Sequence, residues 1–195
     1  IFFLDIFDFF YRLNFVNFFK KIKVNKFDII FDVGAHKGES IVFFNKYFSV
    51  NKIISFEPSP INFTKLEKFV KNKKFKSEVI LENFGLGLRE EKKQLNQAIE
   101  SSSSTFNEIN YNSKYYNKKK NLLNFFSNKK YITKVEVNII NLKSYMINNK
   151  VDKVDLLKID TEGFEFDVLS GLGDKIQQIK FIFFEHHYDD MYKKN

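Results

Sequence analysis

Cysteine and tryptophan are absent from the sequence, and its 195 residues include only three histidines. Without cysteine, the chain can form no disulfide scaffold, no zinc site built on thiolates and no cysteine nucleophile. Three histidines also leave little material for a histidine metal cluster, so we expect no metal site. The composition is otherwise globular, with 44% hydrophobic and 29% charged residues. A chain of this length suits one domain with its own core.

The charges are unbalanced, because 32 Lys and Arg residues stand against 24 Asp and Glu residues and give a formal net charge of +8. Such an excess can indicate a nucleic-acid partner or an anionic membrane surface. Here the basic residues are scattered over polar stretches, and the frequent Phe, Lys, Asn and Ile residues are typical of a very AT-rich genome. We therefore expect no nucleic-acid partner.

The N-terminal segment, residues 1–23, is mostly aromatic and aliphatic and ends in a basic run. Asp5, Asp8 and Arg12 argue against a membrane span, because each charge at membrane depth costs about 2.5–3.5 kcal/mol. Their spacing places them on one helical face, which predicts an amphipathic helix within residues 1–26 that packs on the domain. The alternative is an interfacial helix that contacts an anionic membrane. We expect a cytoplasmic protein, with peripheral membrane contact left open.

From residue 27 onward, short apolar strands alternate with amphipathic helices. The predicted strands are Phe27–Val33, Lys52–Phe56, Glu78–Leu81, Val154–Ile159 and Phe181–Phe184, and the predicted helices are Glu39–Phe48, Asn62–Asn72 and one that begins at Glu165. This alternation is typical of βαβ units around a parallel sheet. Residues 86–133 interrupt it with runs of Ser, Asn and Lys and are predicted to be an insertion or a long loop. Val135–Ile139 is a predicted strand that need not be parallel to the others.

A glycine-containing turn, Asp32–Gly38, lies where the first predicted strand meets the first helix. Glycines in such a turn let the backbone approach a ligand closely, and the helix N-terminus offers N–H groups. Glu57 ends the second predicted strand, where a carboxylate can accept hydrogen bonds from both hydroxyls of a ribose. Together, the two features predict a cofactor that contains a ribonucleoside.

The glycine spacing distinguishes between cofactors of this kind. In the dinucleotide fingerprint G-x-G-x-x-G counted from Gly34, the second glycine would fall on His36 and the third on Glu39, so the pattern fails. The phosphate-binding pattern G-x-x-x-x-G-K-[ST] is absent too. The observed pattern suits S-adenosylmethionine (SAM) better, because SAM has a ribose and an amino acid but no pyrophosphate. A nucleotide-sugar or NAD-dependent enzyme is the less favoured alternative.

Five segments together resemble one known family. They are FDVGAHKGES (31–40), ISFEPSP (54–60), NFGLG (83–87), LLKIDTEGFEFDVLSG (156–171) and FFEHH (183–187). They are similar to the FkbM-type SAM-dependent methyltransferases over residues 27–188. The resemblance implies a class I methyltransferase fold, a Rossmann-like three-layer sandwich with a mostly parallel sheet. It also implies methyl transfer, usually to a hydroxyl oxygen on a sugar, polysaccharide or other natural product.

The resemblance also implies contacts to the cofactor. The expected contacts are Asp32, Gly34, Ala35 and Gly38 at the methionine end of SAM, Glu57 at the ribose, Asn83 and Phe84 at the adenine, and Asp160 beside the transferred methyl group. A serine-rich segment, Ser102–Thr105, resembles a loop of the family that lies near the site.

Asp160 and His186 are the candidates for the base that removes the proton of an acceptor hydroxyl. The expected acceptor is a small molecule or a glycan, and the mechanism requires no metal. Asp160 could instead only cap the helix that begins near Gly163. Lys158 is interpreted as a strand residue outside the site, and Glu165 as a favourable charge at a helix N-terminus.

The chain departs from the family pattern in two ways. Asn141–Lys143 stands where a T-L-D segment is usual, so Lys143 replaces the Asp of that segment and cannot take its role. The sequence begins at Ile1 rather than at a Met, which indicates a fragment. The chain also ends soon after the fifth predicted strand, whereas class I methyltransferases normally add two more strands. We therefore expect a C-terminally truncated domain over residues 27–195. A non-catalytic SAM-fold fragment or interaction module is the alternative to an active enzyme.

Overall fold

A computed structural model describes residues 13–98, 104–107, 110, 112–113 and 132–184. In chain order, the elements are α1 (13–21), β1 (Lys26–Val33), α2 (Glu39–Tyr47), β2 (Ser49–Phe56), α3 (Pro60–Lys71), β3 (Glu78–Glu82), β4 (Gly85–Gly87), β5 (Glu91–Ala98), β6 (Ile132–Asn141), α4 (Leu142–Asn148), β7 (Val154–Ile159), α5 (Glu165–Ser170), a 3-10 helix (Gly173–Gln178) and β8 (Ile179–Phe184). Every strand and helix predicted from residue 27 onward is present, with ends shifted by a few residues.

The main sheet has the strand order β3-β2-β1-β7-β8, and all neighbouring strands are parallel. The order runs outward from β1 to β3 and then resumes with β7 on the other side of β1. The carboxyl ends of β1 and β7 therefore border a switch point, where open α/β sheets bind their ligands. The predicted α/β fold with a mostly parallel sheet is confirmed.

Helices cover both faces of the main sheet. On one face, side chains of α1, α2 and α3 form a hydrophobic cluster with Ile30 and Ile53 of the sheet. On the other face, α4 and α5 form a second cluster with Phe31 and Ile54. Successive residues of a strand point to opposite faces, so the two layers share the same strands. Each fully buried side chain of this kind contributes about 1.5–3 kcal/mol to the stability of the sandwich.

The described part of α1 packs one face against the core through Phe15, Val16 and Phe19. This packing agrees with the prediction of a helix that lies on the domain. The charged stripe predicted within residues 1–12 lies outside the described residues. Across the part of the chain that the structure describes, no helix has both the length and the apolar character needed to cross a membrane.

The sequence predicted an insertion or a long loop over residues 86–133, and the described part of this range contains strands. β4, β5 and β6 form a second sheet of order β4-β6-β5, in which β6 is parallel to β4 and antiparallel to β5. The strand β5 was not predicted, because its sequence, EKKQLNQA, is rich in residues that strands disfavour. Pairing with β6 from Glu91 opposite Ile139 to Ala98 opposite Ile132 overrides that local preference.

Candidate active site

The turn after β1 brings the ends of β1 and β7 into close contact. Gly34 has a left-handed backbone with a φ of 76°, and a Cβ at this position would lie 1.8 Å from the carbonyl oxygen of Asp160. Gly38 is also left-handed, and a Cβ there would lie 2.9 Å from the ring of Phe69. Glycine is therefore required at Gly34 for the approach of two strand ends, and at Gly38 for the packing of α2 against α3.

The backbone N–H groups of this turn all donate to acceptors within the chain. The pairs are Gly34 N and Ala35 N to Phe56 O, His36 N to Glu57 Oε2, Lys37 N to Glu39 Oε2, and Gly38 N to Ala35 O, at distances between 2.8 and 3.1 Å. A turn that binds phosphate must instead point its N–H groups at the ligand. The arrangement therefore counts against a dinucleotide or a nucleotide sugar.

A carboxylate of the chain neutralises the N-terminus of α2. Glu39, the first residue of this helix, accepts a hydrogen bond from Lys37 N and lies 3.2 Å from His36 Nδ1. Partial burial raises the pKa of Glu39, but its hydrogen bonds outweigh this effect and lower the pKa to about 2. The charged carboxylate thus occupies the place where an anionic ligand would meet the helix.

Glu57 lies at the end of β2, with only 5% of its surface exposed. Its carboxylate accepts from His36 N at 2.8 Å and from Ser59 N at 2.9 Å, and Asn62 supplies a side-chain hydrogen bond. Burial raises the pKa of Glu57 to about 7, because these hydrogen bonds only partly offset the loss of water around the charge. A carboxylate has about four acceptor sites, so these three donors leave room for a ligand hydroxyl.

Lys158 is the centre of a buried ionic cluster at the switch point. Its Nζ lies 3.2 Å from Asp32 Oδ1 and 3.4 Å from Asp160 Oδ2, and it donates to Gly34 O at 3.1 Å. Burial alone would lower the pKa of Lys158, but the two carboxylates raise it above its usual range. The ammonium therefore stays charged. We call Asp32, Lys158 and Asp160 the ionic cluster.

The sequence interpretation that left Lys158 outside the site was wrong. Lys158 lies directly opposite Asp32 in the pairing of β7 with β1, so the two side chains point to the same face of the sheet. The sequence does show a lysine inside a mostly apolar strand, which is an unusual place for a charged side chain. It could be interpreted only once β7 was known to be the neighbour of β1.

The ionic cluster has one member that is open to a ligand. Asp32 is fully buried, whereas 37% of the Asp160 side chain is exposed. Ala35 is buried as well. A ligand can thus touch the carboxylate of Asp160, while Asp32 acts through Lys158. Two carboxylates around one ammonium leave a net negative charge, which suits a cationic group on the ligand.

The turn after β7, residues 160–164, is called the β7 turn below. Glu165, the first residue of α5, accepts at one oxygen from three donors of this turn. They are Thr161 N, Thr161 Oγ1 and Gly163 N, at 3.0–3.1 Å. The N-cap residue of α5 is Phe164. The alternative that Asp160 only caps this helix is therefore wrong.

Asn83 and Phe84 follow β3 at the same edge of the sheet. The exposed side chain of Asn83 donates to Glu57 O at 2.9 Å, which places it beside the predicted ribose site. Phe84 is half-buried and packs on the ring of Tyr145, with 5.9 Å between ring centroids. Tyr145, which sequence reasoning missed because α4 was not predicted, donates its hydroxyl to Glu82 at 2.8 Å.

Other predicted site residues are only partly covered by the structure. His186 and Ser102 lie outside the described residues, so their roles stay predictions. Thr105 is described and fully buried, and it contacts the β7 turn. Among the described side chains, no group of three His, Cys, Asp or Glu residues could hold a metal ion.

Comparison with known proteins gives one assignment. The family model for the methyltransferase FkbM domain matches residues 32–195. No curated protein and no solved structure matches the chain. The matched range contains the glycine turn, the ionic cluster and the β7 turn, and it covers most of the sequence. The chain therefore belongs to the FkbM methyltransferase family.

Proposed function

We propose that the protein is a SAM-dependent methyltransferase that acts on a hydroxyl oxygen of a small molecule or glycan, such as a sugar, a polysaccharide or another natural product. Membership of the FkbM family supports methyl transfer as the reaction. The observation that carries the proposal is the acidic edge of the switch point, where Asp160 and Glu57 lie on either side of the glycine turn.

The described residues fit SAM better than a phosphate-bearing cofactor. The turn has no N–H group to offer a phosphate, because its donors are engaged within the chain. Glu57 would accept a hydrogen bond from a ribose hydroxyl, and the negative charge of the ionic cluster would attract a cation at Asp160. When bound, SAM supplies an electrophilic methyl group on a positively charged sulfur.

The chain itself contributes alignment and charge. Holding two reactants in one geometry can remove about 7–11 kcal/mol from a barrier. Lys158 fixes the carboxylate of Asp160 at 3.4 Å, and this carboxylate can hold the acceptor hydroxyl or take its proton. His186, outside the described residues, is the alternative base.

Calorimetric titration of the protein with SAM and with NAD tests the cofactor. We expect binding of SAM and none of NAD, because the turn lacks a phosphate cradle. Binding of NAD without binding of SAM would overturn the proposal.

Transfer of a labelled methyl group to hydroxyl compounds tests the reaction. Asp160→Asn should lower turnover more than SAM affinity, because it keeps the shape of the side chain but removes its charge. Asp152→Asn, an exposed position in the loop before β7, is the matched control and should leave turnover unchanged.

A further inference from the structure

A short segment of the chain crosses over the β7 turn. We call this segment, residues 104–107, the strap. Thr105 donates its hydroxyl to Glu162 O at 2.7 Å, and Asn107 donates its side-chain amide to Gly163 O at 2.7 Å. Both bonds join side chains of the strap to backbone carbonyls of the turn. Thr105 is fully buried, so water cannot replace its hydrogen bond without a rearrangement.

The strap is itself fixed to β5 of the second sheet. Thr105 and Asn96 exchange two backbone hydrogen bonds, at 2.9 and 3.0 Å. The side chain of Asn96 also donates to Asn107 O at 2.9 Å. In addition, the ring of Phe106 packs on Phe164 of the β7 turn, with 5.0 Å between ring centroids. The second sheet therefore reaches the β7 turn through the strap.

The β7 turn is held from two sides. Its N–H groups at Thr161 and Gly163 donate to Glu165, and its carbonyls at Glu162 and Gly163 accept from the strap. Between these contacts, Glu162 has a left-handed backbone with a φ of 54°. A residue with a side chain adopts this conformation at a cost and keeps it only where its surroundings impose it. The two sets of hydrogen bonds supply that restraint.

We infer that Thr105 and Asn107 are positioning residues, which hold the β7 turn so that the carboxylate of Asp160 stays at the edge of the site. They act on Asp160 through the backbone of the turn and do not touch the ligand. The inference rests on the proposed function only for the role of Asp160 toward SAM. The restraint of the β7 turn by the strap follows from the hydrogen bonds of the structure and does not depend on the proposed function.

Amide hydrogen exchange of the whole chain tests whether the strap restrains the β7 turn. Thr105→Val removes the hydroxyl at constant shape and should speed exchange at Thr161 and Gly163 by about five- to tenfold. Thr105→Ser keeps the hydroxyl and should restore the slow exchange. Thr64→Val is the matched control, because Thr64 lies on the surface of α3 and its hydroxyl donates to Pro60 O within the same helix. Unchanged exchange at Thr161 and Gly163 in Thr105→Val would overturn the inference.

Asn107→Asp provides a second variant in case Thr105→Val does not fold. Asn107 is half-buried, and the substitution keeps its shape while it replaces the N–H donor to Gly163 with an acceptor. We expect faster exchange at Gly163 in this variant as well. Slow exchange at Gly163 in Asn107→Asp would count against the strap even if Thr105→Val could not be measured.

The affinities for SAM and S-adenosylhomocysteine test the positioning of Asp160. A carboxylate held beside the site should favour the cationic ligand, so Thr105→Val should lower the preference for SAM by about three- to tenfold. Thr105→Ser should keep that preference. An unchanged preference despite faster exchange would overturn the positioning role. If the parent protein binds neither ligand, the proposed function fails, while the exchange result still decides whether the strap holds the turn.

Discussion

Lys158 determines the charge of the candidate site, because it is the cation that lies between Asp32 and Asp160. Removing it would leave the carboxylate of Asp32 fully buried without a counter-ion. Breaking a buried ion pair from one side costs about 3–5 kcal/mol, most of it from the uncompensated charge. The lysine is therefore a structural requirement of the site as well as part of it.

We expect Lys158→Met to lower the free energy of unfolding by about 3–5 kcal/mol in urea denaturation. The double variant with Asp32→Asn should recover much of this loss, since it removes the orphaned charge. Lys92→Met is the matched control, because Lys92 forms a largely exposed ion pair with Glu136 and should cost less than about 1 kcal/mol. Equal losses in the two lysine variants would contradict the account of the cluster.

Glu57 gives the stability a distinctive dependence on pH. Burial raises its pKa from 4.5 to about 7 in the folded protein, so the folded state holds this proton more tightly than the unfolded chain. The free energy of unfolding should therefore fall as the pH rises from about 4.5 to about 7. This group alone should account for about 3 kcal/mol of the fall.

Urea denaturation of the parent and of Glu57→Gln at pH 5 and pH 8 measures this contribution. The parent should lose about 2–3 kcal/mol more than the variant between the two pH values, because part of the total is already lost at pH 5. Parallel pH profiles would show that Glu57 titrates in its ordinary range.

At the scale of elements, the sequence predicts those strands that are mostly apolar. β1, β2 and β7 are rich in Ile, Leu, Val and Phe and are followed by Gly34, Glu57 and Asp160, and all three were found. β5 was missed because its pairing with β6, and not its composition, makes it a strand. α4 was missed because its N-cap, Asn141, is also the last residue of β6, so no loop marks the start of the helix. Asn141 accepts a hydrogen bond from Ser144 N at 2.7 Å.

Within the candidate site too, some residues could be predicted from short sequence segments, whereas others depend on contacts between distant parts of the chain. The glycine turn and Glu57 are visible in the sequence because their signals lie within short segments. The ionic cluster joins residues more than a hundred positions apart, namely Asp32 with Lys158 and Asp160. Its geometry depends on which strands are neighbours. The strap depends in the same way on the pairing of β5.

The contact between the ends of β1 and β7 gives a test at the element scale. Gly34→Ala should lower the free energy of unfolding by more than about 4 kcal/mol, since its Cβ would lie 1.8 Å from a backbone oxygen. Gly173→Ala is the control, because Gly173 is also left-handed but its Cβ would meet nothing closer than 3.7 Å. That variant should cost about 1–2 kcal/mol, the strain of the backbone alone. Similar losses in urea denaturation would contradict the close approach.

At the scale of the whole molecule, the candidate site differs in sign from the protein around it. The chain has a formal net charge of +8, whereas the edge of the switch point carries Asp32 and Asp160 around Lys158, and Glu57 at the end of β2. A basic protein does not need these carboxylates for its solubility. The local excess of carboxylates is therefore best explained by a ligand with hydroxyl donors and a positive charge.

The proposed SAM site depends above all on Glu57, and calorimetric titration with SAM at pH 8 measures the contribution of this residue. Glu57→Gln keeps the size of the side chain but loses a charged acceptor, so SAM affinity should fall by about 10- to 100-fold. Glu67→Gln, the same change at an exposed position on α3, should bind SAM like the parent. If Glu57→Gln bound SAM as tightly as the parent, the assignment of the ribose site would be wrong, and with it the main argument for this cofactor.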